Sequence, residues 1–143
     1  MGAMEPHRHV VTLDVDATTA FEAFTERISE WWPEAFTPDP DAFDGVRIEP
    51  RVGGRVVIAT SHGDEHTFGE VTAWDPGATY GQTWTLGQDP SVPSSLTVQF
   101  ADTGDGSEVV LEHGGWHEGN AVYHDKFAGW PLVLERYAFV SST

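Results

Sequence analysis

The sequence has 143 residues, a length typical of one domain. Hydrophobic residues make up 39% of it and charged residues 21%, which is the balance of a globular protein and not of a disordered chain. The 23 acidic side chains outnumber 7 Lys plus Arg, and a net charge of −16 repels phosphate backbones and anionic lipid surfaces. We therefore expect no nucleic-acid partner and no membrane partner.

The absence of cysteine excludes disulfides and thiolate metal ligands. No apolar run reaches the roughly 18 residues that span a bilayer, and no signal-peptide pattern opens the sequence. We therefore expect a cytoplasmic protein in which residues 1–143 form a single domain. Residues 1–3, which precede a second methionine at position 4, are given no weight.

The N-terminal part predicts a strand followed by a helix. Residues 9–15 alternate between apolar and polar side chains, as a half-buried strand does. Thr19 and Glu22 have the spacing of a capping box, which predicts that a helix begins there. Four large apolar residues then recur at helical spacing: Phe21, Phe24, Ile28 and Trp31. Residues 33–45 are rich in proline and acidic side chains and predict a surface loop.

The middle of the chain predicts short strands separated by turn residues. We place these strands at roughly 46–50, 54–61, 66–74, 79–86, 95–101 and 107–113. Strands joined by connections this short pair antiparallel, because a parallel pair needs a long crossover.

The C-terminal part returns to helical spacing. One apolar stripe contains Tyr123, Phe127, Trp130, Leu134 and Tyr137. Gly129 and Pro131 interrupt it and predict a kink or a fresh helix start. A run of strands that ends in one apolar helix closes best when the sheet curls around that helix. The predicted class is therefore α+β, with a curved antiparallel sheet of about seven strands.

Several short segments, in this order and spacing, resemble the bacterial proteins related to the C-terminal domain of the activator of Hsp90 ATPase. The segments are residues 16–24, Trp31-Trp32, residues 49–55, Gly69-Glu70-Val71, Thr83-Trp84, residues 111–116 and Gly129-Trp130-Pro131. The resemblance places the chain in the START and Bet v 1-like (SRPBCC) superfamily and implies a helix-grip fold around a long C-terminal helix. That superfamily contains ligand-binding proteins, lipid-transfer domains, polyketide cyclases, aromatases and co-chaperone domains, with no catalytic set common to all.

Aromatic residues on the facing elements are the candidate ligand-binding residues. Trp84, Trp116, Phe127 and Trp130 lie on the strands and final helix that face each other in a helix-grip. Small-molecule pockets are mostly apolar and aromatic, with a few polar groups that orient the ligand. We therefore predict a cavity between the sheet and residues 119–140 for a small hydrophobic or aromatic molecule. Plain core packing of the same rings is the alternative. If one side of Trp130 faces a void, its replacement by alanine costs less than the loss of a fully packed ring.

Histidine and arginine side chains give a second set of candidates. His113 follows the inward alternation of its strand, so it either orients a ligand, acts as a general base or bonds to the protein interior. The His-x3-His pairs at 62/66 and 113/117 lie in turn-rich sequence, so we predict no metal site and no cofactor. Lysine and arginine are few among many carboxylates, so Arg51 and Arg55 are expected to pair with acidic side chains, with recognition of an anionic ligand group as the alternative.

Three functions therefore remain open. The first is a small-molecule-binding domain. The second is a cyclase- or aromatase-like enzyme that uses an inward His, Tyr or Glu in the same cavity. The third is a protein-interaction module of the Hsp90-activator kind, with a chaperone or homodimer contact. The chain has no Gly-x-Ser-x-Gly motif and no cysteine, which argues against nucleophilic catalysis.

Overall fold

One seven-stranded antiparallel sheet dominates the computed structural model, which describes residues 5–37, 40–86 and 88–142, without the side chains of residues 125–128. Its strands are β1 (His7–Leu13), β2 (Phe43–Ile48), β3 (Arg55–Thr60), β4 (Glu65–Asp75), β5 (Thr79–Trp84), β6 (Ser94–Asp102) and β7 (Ser107–Gly114). They lie in the order β1-β7-β6-β5-β4-β3-β2. The sheet curls into a half-barrel, which confirms the predicted α+β helix-grip.

Two irregularities in the pairing of β4 bend the sheet. The register shifts once against β3, between Val56 and Val57, and once against β5, between Val71 and Ala73. Bulges of this kind increase local twist and bend the strand. Gly69 lies at the first shift, and a Cβ placed there would be 2.4 Å from the Thr83 carbonyl oxygen. This position therefore requires glycine.

In the described part of the chain, three α-helices cover the inner face: α1 (Ala17–Thr25), α2 (Ile28–Trp31) and α3 (Trp130–Ser141). The predicted start at Thr19 is wrong, because Asp16 is the N-cap of α1 and its carboxylate accepts the Thr19 N–H at 2.8 Å. Asp caps a helix at least as well as Thr. The Asp102 carboxylate accepts the Ala17 N–H at 2.8 Å, so a distant strand satisfies another donor of the first turn.

The two less regular segments were predicted in part. In place of a continuous loop over 33–45, the structure has 3-10 turns at Glu34–Phe36 and Pro40–Ala42, and β2 already begins at Phe43. A bulge between Phe43 and Gly45 interrupts the alternation that would have revealed this strand. Residues Ala121–Gly129 are 3-10 helical, and α3 starts afresh with proline in its first turn, as predicted. No helix in the described part of the chain is long and apolar enough to cross a membrane.

The core between α1, α3 and the sheet is aromatic. The ring centroids of Phe24, Trp31 and Tyr137 lie 5.1–5.3 Å apart. The Tyr137 hydroxyl donates to the Ala20 carbonyl at 2.7 Å, and the Trp31 indole donates to the Ala23 carbonyl at 2.8 Å. These hydrogen bonds tie α3 and α2 to α1 and hold the helices against the sheet.

We expect Tyr137→Phe to lower the free energy of unfolding by about 1 kcal/mol, because it removes one buried hydrogen bond and keeps the ring. Urea denaturation measures the change. Phe139→Ala on the same helix is the control: that side chain is 74% exposed, so its removal is expected to change stability by no more than about 0.5 kcal/mol. Equal losses in the two variants would contradict a structural role for the Tyr137 hydroxyl.

Candidate functional site

Four of the predicted ligand-binding residues meet at one end of the sheet. Trp84 ends β5, His113 lies on β7, Trp116 follows β7 and Trp130 begins α3, and all four are buried. The His113 ring centroid lies 5.2, 4.8 and 5.9 Å from those of Trp84, Trp116 and Trp130, respectively. The side chain of Phe127, the fifth predicted residue, lies outside the described residues.

Trp32 and Phe68 join this group, and sequence reasoning did not assign either to the site. Trp32 directly follows α2, and its ring lies 5.7 Å from Trp84 and 6.1 Å from Trp130. Phe68 lies on β4, 5.2 Å from Trp84. The adjacent pair Trp31-Trp32 was the sequence signal that could have identified Trp32. Two neighbouring residues at a helix end point in different directions, so their rings can pack in different clusters. We call Trp32, Phe68, Trp84, His113, Trp116 and Trp130 the aromatic cluster.

Both ring nitrogens of His113 have hydrogen-bond partners. The Trp130 indole N–H donates to Nδ1 at 3.1 Å. Since Nδ1 accepts, the neutral ring carries its proton on Nε2, which donates to the Ser94 hydroxyl at 2.7 Å. That hydroxyl lies 3.1 Å from Oε1 of Gln88, to which it donates. The Trp116 indole donates to the His113 carbonyl at 2.9 Å, so the main chain and side chain of His113 together organise the cluster.

The environment of His113 keeps its imidazole neutral. Burial, and to a lesser extent the nearby His7 and His124, lowers the pKa of His113 to about 3. A second proton would also place an N–H on Nδ1, directly opposite the indole N–H of Trp130. In this arrangement His113 positions its neighbours, and neither nitrogen is available as a general base near neutral pH.

A histidine pair joins β1 to the 121–129 segment beside the cluster. His7 stacks on His124 with centroids 4.2 Å apart, and its Nε2 lies 2.7 Å from the His124 carbonyl oxygen. The same ring meets Trp116 edge-on at 6.1 Å. The sequence analysis did not connect His7 with His124, because 117 residues separate the two in sequence. Only the pairing of β1 with β7 brings them together.

The two His-x3-His pairs differ in burial. His62 and His66 are both exposed, whereas His113 is buried and His117 is exposed. Within the described residues, no group of three or more His, Cys, Asp or Glu side chains could hold a metal ion.

The arginine prediction is confirmed. Arg51 and Arg55 approach the Glu49 carboxylate at 3.5 and 3.3 Å.

The Glu34–Phe36 turn and the 121–129 segment meet next to the Trp32–Trp130 contact. Phe36 follows Trp32 by four residues, Gly129 precedes Trp130, and a Cβ added at Gly129 would lie 3.5 Å from the Phe36 ring. Phe36 is 40% exposed. The main chain of each segment makes short-range 3-10 hydrogen bonds. For example, the Phe36 N–H donates to the Pro33 carbonyl at 3.0 Å. They form the least regular wall of the cluster.

Comparisons with known structures give the same fold. Protein MLL2253 from Mesorhizobium loti is 23% identical, with a TM-score of 0.70 over 94% of this chain and 95% of that chain. The anthrahydroquino-γ-pyrone synthase Txn09, complexed with SUM, is 25% identical, with a TM-score of 0.63 over 98% and 99% of the two chains. The Aha1 dimer from Colwellia psychrerythraea is 18% identical, with a TM-score of 0.66 over 92% of each chain.

The family comparison identifies the chain more directly. A search of curated proteins found no match. The family model described as "Activator of Hsp90 ATPase homolog 1-like protein" matches residues 14–138, which is most of the chain. The chain therefore belongs to the activator of Hsp90 ATPase homolog 1-like family.

Proposed function

We propose that this protein binds a small apolar, largely aromatic molecule at the aromatic cluster, between the sheet and residues 119–140. The observation that carries the proposal is the convergence of buried rings from five parts of the fold: the end of α2, β4, β5, β7 with its C-terminal extension, and the start of α3. Apolar, aromatic surroundings with a few oriented polar groups are typical of small-molecule sites.

A ligand has to displace one wall, because the rings pack against each other. The wall that moves at the lowest cost is the one formed by the Glu34–Phe36 turn and the 121–129 segment. Moving this wall breaks local 3-10 hydrogen bonds and the contact of His124 with His7, whereas opening the other side would break the ladder between β5, β6 and β7. Separation of Phe36 from Gly129 would expose Trp32 and Trp130 while the sheet stays intact.

The comparison with the synthase Txn09 supports a ligand in this fold. That protein is complexed with SUM and aligns with this chain over nearly the full length of both. The similarity supports binding more strongly than it supports a shared reaction, since function depends on the site and not on the fold.

Catalysis in the cluster is a weaker candidate, because the inward acid–base groups already form hydrogen bonds within the protein. The nitrogens of His113 bond to Ser94 and Trp130. Burial raises the pKa of Tyr80 and of Tyr137, whose hydroxyls donate to Gln82 and to the Ala20 carbonyl. The buried polar side chains of the described residues include no carboxylate. A cyclase- or aromatase-like reaction would require the cluster to rearrange first.

A protein-interaction role is the second candidate, and one face of α3 favours it. Leu132 and Phe139 are 57% and 74% exposed and lie seven residues apart, which places them on the same side of the helix. Exposed apolar side chains that share a face are typical of contact surfaces. The partner of this face would be a second copy of the chain, in line with the Aha1 dimer from Colwellia psychrerythraea, or a chaperone.

We expect the purified protein to carry a small molecule in native mass spectra, or to be stabilised by planar aromatic probes such as fluorene and 9-fluorenone. Free probe at 100-fold above its Kd stabilises the folded state by about 2.7 kcal/mol, which raises the Tm measurably. Tryptophan fluorescence is expected to change on binding in the wild type and in Trp74→Phe, since Trp74 contacts Phe21 and Tyr80 outside the cluster. The change is expected to shrink in Trp84→Phe. No bound mass and no response to either probe would leave the α3 face as the better candidate.

A further inference from the structure

The indole N–H of Trp32 is a buried donor for which the described residues provide no acceptor. Among the described residues, the buried side-chain atoms that lack a partner belong to His9, Trp32 and Ser107, and of these only Trp32 belongs to the aromatic cluster. Trp32 is 4% exposed, so bulk solvent does not reach this group. Native proteins seldom leave a buried N–H unpaired, and each such exception calls for a specific explanation.

The other indoles of the cluster show the contrast. Trp84 donates to the Leu86 carbonyl at 3.1 Å, Trp116 to the His113 carbonyl at 2.9 Å and Trp130 to Nδ1 of His113 at 3.1 Å. Trp31, the sequence neighbour of Trp32, donates to the Ala23 carbonyl at 2.8 Å. The part of the chain that the structure describes therefore supplies acceptors to these four indoles but none to Trp32, which lies beside the irregular wall.

We propose that the Trp32 indole N–H is the polar contact that selects the ligand, and that the ligand is a flat aromatic molecule with a neutral acceptor oxygen, such as an aromatic ketone or quinone. This inference rests on the proposed function. An indole N–H only donates, so its ligand partner has to accept. The rings of Trp84, Trp130 and Phe68 lie 5.7, 6.1 and 6.4 Å from Trp32, and such surroundings suit a planar apolar body.

A neutral acceptor fits better than an anion. The described side chains of the cluster carry no positive charge, because burial keeps His113 neutral. The protein also has a net charge of −16, which disfavours anionic ligands. A buried carboxylate with one indole donor would lose most of its hydration without a counter-charge, whereas a carbonyl needs only the single hydrogen bond.

The test compares 9-fluorenone with fluorene, which share a planar ring system and differ at the carbonyl. The quantity measured is the ratio of the fluorene Kd to the 9-fluorenone Kd, in the wild type, in Trp32→Phe and in Trp31→Phe. Because one buried hydrogen bond is lost, we expect this ratio to fall about tenfold in Trp32→Phe. It is expected to keep its wild-type value in Trp31→Phe, the matched control whose indole already has an acceptor.

A second measurement is made on the wild-type protein, so it does not depend on whether a variant folds. In wild-type protein labelled with ¹⁵N at the indole nitrogens, 9-fluorenone is expected to move the Trp32 N–H proton resonance downfield, and fluorene is not. The resonance is assigned from the Trp32→Phe spectrum, or from nuclear Overhauser contacts if that variant does not fold. Binding of both probes with no selective shift and an unchanged ratio would overturn this inference and leave the proposed function standing. Failure of both probes to bind the wild type, together with no bound mass in native mass spectra, would overturn the two together.

Discussion

Replacement of Trp130 by alanine is expected to lower the free energy of unfolding by about 3–5 kcal/mol, the range for large buried aromatic side chains. The ring is 4% exposed and lies 6.1 Å from Trp32 and 5.5 Å from Trp84. Its N–H donates to Nδ1 of His113, which would lose that donor. The sequence-based expectation of a smaller loss assumed a void beside Trp130, whereas the structure places aromatic rings there.

Chemical denaturation measures this loss, with Leu132→Ala as the control on the same helix. Leu132 is 57% exposed, so we expect its truncation to change stability by no more than about 0.5 kcal/mol. A Trp130→Ala loss no larger than that of the control would mean that a cavity already adjoins the ring.

Acidification is expected to destabilise the protein through His113. The folded-state pKa of about 3 lies below the ordinary value of 6.5, so between these values the unfolded chain binds a proton that the folded protein does not. Stability from this residue is therefore fully present above pH 6.5 and is lost as the pH falls towards 3. The slope approaches about 1.4 kcal/mol per pH unit inside this window.

The measurement is urea denaturation from about pH 7 to about pH 5, above the range in which most carboxylates titrate. His113→Gln removes the titrating group and is expected to flatten the slope. His9, whose pKa burial also lowers, contributes to the slope in both proteins and cancels in the comparison. His117→Gln, at an exposed position, is the control for the replacement of a histidine by glutamine. Identical slopes in wild type and His113→Gln would contradict the prediction.

The local pattern of the sequence was sufficient to predict the strands and the inward direction of the His113 side chain. Side chains alternate across a strand, so periodicity reveals which of them face the core, and short connections require antiparallel neighbours. The predicted strand at 107–113 is observed as Ser107–Gly114. Gly129 and Pro131 correctly predicted the fresh start of α3, because proline is tolerated in a first helical turn and not in the interior. Local rules failed at Thr19, where Asp16 took the cap, and at Phe43, where a bulge hid the start of β2.

The sequence by itself therefore determined the fold class and brought Trp84, His113, Trp116 and Trp130 into one candidate site. Only the tertiary structure decided what surrounds them. The pairing of β1 with β7 places His7 beside the cluster, and the end of α2 places Trp32 in it. Whether a buried indole finds an acceptor depends on the folded geometry even where the acceptor is near in sequence, as for Trp84 with Leu86 and Trp116 with His113. Hydrophobic periodicity predicts which side chains are buried, but it does not predict their hydrogen-bond partners. The Trp32 N–H, which has no acceptor among the described residues, could therefore be identified only from the tertiary structure.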